Sequence, residues 1–207
     1  MEIKTFIDTH LSTIEGWCNK DKAQKLYEVI TEIKPEICVE IGVFGGSSFL
    51  PQALALKHNN KGIIYGIDPW TNAAALEEME NKANINWWGQ IDLQGVYDRF
   101  IKKIELYEVA NYCKIIRNKS NKVVSKFEDN SIDVLHIDGN HCEKMAYEDS
   151  VRYYPKVKVG GYIFFDDIGW SENSRTISTE KGLNYLLQYC EKICLVGNDC
   201  LVLKKVK

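Results

Sequence analysis

Four stretches set acidic residues directly after short apolar runs: Val39-Glu40-Ile41-Gly42, Gly66-Ile67-Asp68-Pro69-Trp70, Ile137-Asp138-Gly139-Asn140-His141 and Phe164-Phe165-Asp166-Asp167. If the runs are neighbouring strands, Asp138, Asp166 and Asp167 converge at one edge. Such crowding of like charges must share protons or hold a cation. Oxygen ligands favour Mg²⁺, Mn²⁺ or Ca²⁺ over zinc or copper. The structural alternative is that one aspartate caps a helix and another faces solvent. Asp68 offers a carboxylate able to accept from both hydroxyls of a ribose, and Trp70 beside it would stack on a base or pack a loop. The first stretch reads Glu40-x-Gly42-x-x-x-Gly46, not the G-x-G-x-x-G of a dinucleotide turn. Its glycines allow a tight turn and close approach to a ligand. A carboxylate there suits a cationic or zwitterionic ligand better than a pyrophosphate. A purely structural turn fits the loop as well.

These groups meet only if the runs carrying them lie side by side. Short β-type runs occur at Ile37–Ile41, Ile63–Ile67, Cys113–Ile116, Val134–Ile137, Tyr162–Phe165, Ile193–Val196 and Leu201–Leu203, bounded by Gly, Asp or Asn. Helical patterns alternate with them. Lys22–Ile33 sets Leu26, Val29, Ile30 and Ile33 on one face, and Ser47–Lys57 runs to a turn at His58–Gly62. Gln94–Glu108 has Asp92 as its N-cap, and Glu143–Tyr154 and Thr179–Tyr189 complete the set. Strand-helix alternation predicts an α/β fold with a mostly parallel sheet and helices on both faces. Only Gly197-Asn198-Asp199 joins the last two runs, which is too short for a parallel crossover. The final strand is therefore expected to be antiparallel to its neighbour. Ligands of such sheets bind beyond the carboxyl ends of the strands, where the acidic stretches fall.

The chain has 207 residues, 45% hydrophobic and 27% charged, with a net charge of −3. That composition is globular and of single-domain size, 1–207. It gives no electrostatic reason to expect nucleic acid or a membrane surface as partner. No apolar stretch approaches a bilayer span, and Met1-Glu2-Ile3-Lys4 does not open like a signal peptide. A soluble, cytoplasmic protein is the expectation. The seven cysteines are irregularly spaced and read as free thiols rather than a disulfide framework or a zinc site.

Taken together, the stretches resemble the class I S-adenosylmethionine-dependent methyltransferases, and within them the metal-dependent macrocin/mycinamicin-type sugar O-methyltransferases. The resemblance rests on Glu40–Ser47, Gly66–Trp70, Ile137–His141 with Asp149 eight residues on, and Lys158–Ile168, and it covers about residues 36 to 170. It implies a Rossmann-like, seven-stranded sheet of order 3-2-1-4-5-7-6 with the last strand antiparallel. It also implies S-adenosylmethionine and Mg²⁺ (or Mn²⁺) as cofactors. Glu40, Gly42, Gly46, Ser47, Asp68, Trp70 and Ser120 fall on cofactor-binding positions, and Asp138, Asp166 and Asp167 on metal-ligand positions. His141 falls where sugar-modifying members keep a histidine proposed as general base, whereas catechol-type members carry a lysine there.

Methyl transfer to an alcohol needs the hydroxyl proton removed, and a cation shared with the acceptor lowers that pKa. His141 follows Asp138 by three residues, so both can address one acceptor oxygen, with Asp138 the alternative base. His136 is read as a satisfied core residue, Lys144 as a solvated charge and Asp149 as structural. The N-terminal 1–20 segment is expected to be helical, and 71–90, ending near Trp87-Trp88, to form a lid faced by Trp170. Those tryptophans suit a sugar face, an aromatic ring or a contact within a homo-oligomer. The expected activity is O-methylation of a vicinal diol in a sugar or nucleotide-sugar small molecule. The alternatives are a catechol or phenol acceptor, or a non-catalytic module with the same fold. An NAD-dependent oxidoreductase is disfavoured by the glycine spacing.

Overall fold

A computed structural model describes residues 2–173 and 175–207. Its strands are β1 (Ile37–Ile41), β2 (Ile63–Ile67), β3 (Cys113–Ile116), β4 (Ile132–Ile137), β5 (Val157–Phe165), β6 (Cys190–Val196) and β7 (Cys200–Lys205). They form one seven-stranded sheet in the order β3-β2-β1-β4-β5-β7-β6. The pairs β1–β2, β1–β4, β2–β3 and β4–β5 are parallel, while β7 runs antiparallel to both β5 and β6. This is the Rossmann-like sheet order, with its antiparallel last strand, expected from the motifs. The three-residue link at 197–199 forces the reversal, with Gly197 at φ 60° making the turn.

Helices α1 (Ile3–Thr9), α2 (Lys20–Ile33), α3 (Phe49–Asn59) and α6 (Leu93–Leu106) supply one layer. Between α3 and α6 lie two short helices, α4 (Asn72–Ala75) and α5 (Lys82–Gln90). The opposite layer is α7 (Ser120–Val123), α8 (Glu143–Tyr153) and α9 (Glu180–Leu186). Alternation along the strands divides the core accordingly. Cys38, Ile64, Val134, Phe164 and Val202 pack with Phe6, Leu26, Ile30, Phe49 and Phe100. Val39, Ile41, Leu135, Ile137, Phe165 and Leu203 pack with Val123, Tyr153 and Leu186 on the other side.

Local signals set the helix boundaries. The Asn19 side chain accepts from the Lys22 amide at 2.8 Å to start α2, and Asp92 accepts from the Gly95 amide at 2.9 Å to start α6. α3 begins at Phe49 rather than Ser47, because Pro51 has no N–H to donate to the Ser47 carbonyl, although the Leu50 amide donates to the Gly46 carbonyl at 2.9 Å. β5 begins at Val157, five residues ahead of the apolar run. Its early part has exposed Val159 and two glycines, so it lacks the signature of a buried strand. The 71–90 segment holds α4 and α5, neither with a buried residue, so no apolar stripe marks them. In the N-terminal segment, α1 buries Phe6 and Ile7.

Phe100 stands edge-on to Phe49 at 5.3 Å and near-parallel to Trp70 at 5.9 Å, and it is fully buried. Phe100→Ala is expected to lower unfolding free energy by about 3–5 kcal/mol, read from urea denaturation. A loss below about 1 kcal/mol would mean the cavity collapses or is filled.

Candidate functional site

The parallel register brings the last residues of β1, β2, β4 and β5 to one edge, with Ile41 beside both Ile67 and Ile137, and Ile137 beside Phe165. The loop after β1 lies against the loop after β4. A Cβ on Gly42 would sit 2.0 Å from the Asp138 carbonyl oxygen, so only glycine permits this approach. The Gly42 amide donates to the Ile67 carbonyl at 2.9 Å. Asp68 then fixes the rest of the loop. Its Oδ2 accepts from the Val43 and Phe44 amides at 3.0 Å each, and its Oδ1 accepts from the Trp70 amide at 2.7 Å. A carboxylate has about four acceptor sites, so these three amides leave Asp68 with room for one more donor. Burial raises its pKa, opposed by the amide hydrogen bonds from Phe44, Trp70 and Val43.

Phe44, Trp70 and Asp167 have φ of 48°, 46° and 53°, and all three lie just beyond strand ends. Non-glycine residues in this region cost on the order of 1–3 kcal/mol each, and they collect where a fold holds a site in shape.

Beneath this edge lies a buried polar network. Glu40, His136 and Asp166 follow the strand alternation onto the α2 side, where Lys22 enters from α2. The Lys22 ammonium donates to Asp166 Oδ2, and His136 Nε2 is 3.3 Å from the same oxygen. Asp166 Oδ1 accepts from the Asp167 amide at 3.1 Å. Glu40 accepts from Ser48 at 2.8 Å and from the Gln52 amide group, with its Oε2 3.5 Å from His136 Nδ1. Burial pulls the His136 pKa down, but the Asp166 and Glu40 carboxylates outweigh it and hold it at about 10. Burial would raise Asp166, yet His136 and Lys22 outweigh it and hold the carboxyl below its ordinary range. Burial also opposes the charge on Lys22, and Asp138 and Asp166 overcome it, raising its pKa.

Above the network, half-buried Asp138, His141 and Asp167 converge. Their ligand atoms all lie within 4.8 Å of one another. His141 Nε2 is 2.7 Å from Asp167 Oδ2 and 3.7 Å from Asp138 Oδ1. Burial and the nearby Asp166 charge push the Asp138 carboxyl well up. For His141, burial is outweighed by the hydrogen bond and charge of Asp167, and the pKa is raised. Two carboxylates and an imidazole whose donor atoms nearly meet, with one carboxyl pushed toward protonation, form a set that fits a divalent cation.

Five of the residues expected at the cofactor or metal have polar contacts within the chain. Asp166 is turned inward because adjacent strand residues alternate faces and a buried ammonium waits on its side. The positive φ at Asp167 sends its carboxylate outward to His141. Glu40 is fully buried, its oxygens taken by Ser48 and Gln52. Trp70 is not a rim platform for a base. It is buried, stacks on Phe100 and donates its indole N–H to the Phe44 carbonyl at 2.8 Å. Ser47 is buried, and its hydroxyl oxygen accepts from the Cys18 amide at 3.3 Å. Ser120 is half-buried and donates to Asp149 Oδ1 at 2.5 Å, while its carbonyl accepts from the Tyr153 hydroxyl at 2.8 Å. Burial raises the Asp149 pKa to about 7, against the Ser120 hydrogen bond that lowers it. Gly42, Gly46, Asp68, Asp138, His141 and Asp167 line the loops at the strand edge.

The sequence reading missed Lys22, Gln52, Asn140, Glu172 and Trp17. Lys22 carried a signal, since it stands four and seven residues before Leu26 and Val29 on the apolar face of α2. Asn140 donates to the Ala75 and Glu77 carbonyls at 3.2 and 2.9 Å, and the Glu172 carboxylate accepts from the Glu80 and Asn81 amides. These bonds draw the 71–90 segment over the loops after β4 and β5. Trp17 stacks on Phe44 at 5.2 Å, and Trp87 and Trp88 close around the same pair. Trp170 lies 5.6 Å from the His141 ring.

A methyltransferase-domain family model matches residues 39–168. The chain belongs to that family, and the matched span contains the whole cluster. An uncharacterised protein of Acanthamoeba polyphaga mimivirus is 33% identical over 131 residues, 62% of this chain and 50% of that protein. The chain thus spans about half the length of the curated relative it matches. The O-methyltransferase NovP superposes with a TM-score of 0.71 at 13% identity, over 91% of this chain and 81% of that one. The O-methyltransferase TomG of Streptomyces achromogenes, solved with S-adenosylmethionine, gives 0.65 at 13% identity over 100% and 99%. At that identity the two structures speak to the fold.

Removing Asp166 strands a buried ammonium, so Asp166→Asn is expected to cost about 3–5 kcal/mol of stability. Asp167→Asn, in a half-buried pair, is expected to cost no more than about 1 kcal/mol. Urea denaturation of the two variants checks the order, and equal losses would contradict the assignment of Asp166 to the interior.

Proposed function

We propose that this chain is an S-adenosylmethionine-dependent O-methyltransferase, assisted by Mg²⁺ or Mn²⁺. Its proposed acceptor is a hydroxyl of a vicinal diol in a sugar or sugar-containing small molecule. The observation that carries this reading is the juxtaposition of the Asp68-held glycine loop with the Asp138, His141 and Asp167 cluster on adjacent strand ends. Family membership supports the reaction class, and TomG with its bound S-adenosylmethionine supports the cofactor.

When bound, S-adenosylmethionine supplies an electrophilic methyl group on a positively charged sulfur that leaves as a neutral thioether. A divalent cation, when bound, lowers the pKa of the acceptor hydroxyl and orients it. The chain's own residues do the rest. The bare Gly42 backbone allows a ligand to approach the β1 edge, and the remaining acceptor site of Asp68 suits a ribose hydroxyl. Asp138 and Asp167 supply negative charge that favours cations in the cleft. Asp138 and His141, 3.7 Å apart, are the bases within reach of an acceptor oxygen at this cluster. The rings of Trp170 and the Trp17–Phe44–Trp87 group give flat apolar walls suited to a sugar face.

Calorimetry on the purified chain is expected to detect S-adenosylmethionine binding, and its absence would remove the central claim. Methyl transfer is expected with nucleotide sugars, while turnover confined to catechols would move the acceptor to the phenolic class. EDTA is expected to abolish turnover, and full activity in EDTA would remove the cation.

His141 must be neutral either to accept a proton or to bind a cation. In the cation-free chain, NMR is expected to place the His141 titration above the ordinary imidazole value of about 6.5, so cation binding weakens as pH drops. A titration at or below that value would remove the Asp167 contact as the group that holds the imidazole protonated.

A further inference from the structure

We infer that the cation-binding set of this chain is Asp138, His141 and Asp167, and that Lys22 withholds Asp166 from it. This rests on the cation dependence proposed above and departs from the three-aspartate set that the sequence motifs imply. Two observations lead to it independently.

The first concerns Asp166. One oxygen accepts from the Lys22 ammonium and lies 3.3 Å from His136, and the other accepts from the Asp167 amide at 3.1 Å. Lys22 and Asp166 side chains are 3% and 1% exposed, so neither can transfer its charge to water without rearrangement. Turning Asp166 outward would leave a buried ammonium without its counter-ion, the costly way to break a buried pair. Lys22 cannot readily follow, because its helix is anchored by the Asn19 cap and by buried Leu26, Val29 and Ile30.

The second concerns His141. Its Nε2 lies 2.7 and 3.7 Å from one oxygen each of Asp167 and Asp138. Donors sharing one small divalent ion at ~2.1 Å stand about 3–4 Å apart, so this set needs only small adjustment. All three side chains are 21–33% exposed, which leaves an entry path. The other convergent group, His136, Asp166 and Cys200, is wholly buried, and the ammonium already occupies its carboxylate. An imidazole nitrogen beside two carboxylates also moves selectivity from Mg²⁺ toward Mn²⁺. In this arrangement His141 is a cation ligand, and of the two bases named above Asp138 is the one left to take the acceptor's proton.

The full chain with Mn²⁺ alone tests the assignment. Pulsed EPR is expected to show modulation from a coordinated imidazole nitrogen in wild type and none in His141→Gln. Calorimetry is expected to show Mn²⁺ binding at least about tenfold weaker in His141→Gln and Asp167→Asn. Because Asp166→Asn alone destabilises the fold, the double variant Lys22→Met/Asp166→Asn removes both buried charges together. It is expected to bind Mn²⁺ within about twofold of wild type. Mn²⁺ bound without nitrogen coupling, or binding lost in a folded double variant, would overturn the set. Wild-type chain that binds S-adenosylmethionine but not Mn²⁺ would overturn it while leaving the cofactor reading intact.

Discussion

A lysine ammonium buried under the carboxyl edge of the sheet governs how the acidic residues above it are arranged. Lys22 cannot be solvated where it sits, so a carboxylate must come to it, and Asp166 is the one on the right face. The neighbouring Asp167 is thereby left to face outward. His136, wedged between Asp166 and Glu40, extends the same neutralisation across β4 to β1. Ser48 and Gln52 complete it from the start of α3. The result is a polar layer inside the sandwich that joins α2, β1, β4, β5 and α3. Breaking any member leaves a charge or hydrogen-bonding group in a low-dielectric interior, where it is expensive.

The loops above this layer are held by side chains gripping backbone amides. Asp68 takes three N–H groups, and Trp70 clamps the Phe44 carbonyl from below. These bonds, with the packing of Phe100 and Tyr97, hold the left-handed backbone at Phe44 and Trp70, while Asp167 is held through its amide by Asp166 Oδ1 and through its carbonyl by the Thr179 hydroxyl. The loops are held by bonds within the chain itself, which reduces the ordering a ligand must impose.

Strand composition and the short final link made the sheet and its reversed strand legible, because period and linker length translate directly into topology. The glycine loop and Asp138 were legible for the same reason, since each ends a clear apolar run. What the sequence obscured were choices between faces. Asp166 and Asp167 look interchangeable as letters, yet strand alternation turns Asp166 to Lys22 and left-handed backbone turns Asp167 to His141. Trp70 read equally as a base-stacking or a loop-packing residue, because the backbone turn that folds it inward has no marker other than the residue itself. α4 and α5 bury nothing, so periodicity could not announce them. Lys22 was visible as a charge on an apolar stripe, and its partner lies 144 positions away.

The 71–90 segment is attached differently from everything beneath it. Its links to the loops after β3, β4 and β5 are Lys119–Glu77 at 2.5 Å, Lys144–Glu78 at 2.6 Å, and the Asn140 and Glu172 hydrogen bonds. The two ion pairs face water, where dissolved salt competes for them. The interior pair of Lys22 and Asp166 is shielded from such competition. Ionic strength thus separates two kinds of electrostatics in one molecule: it weakens the tethers of 71–90 and leaves the charges under the sheet edge intact.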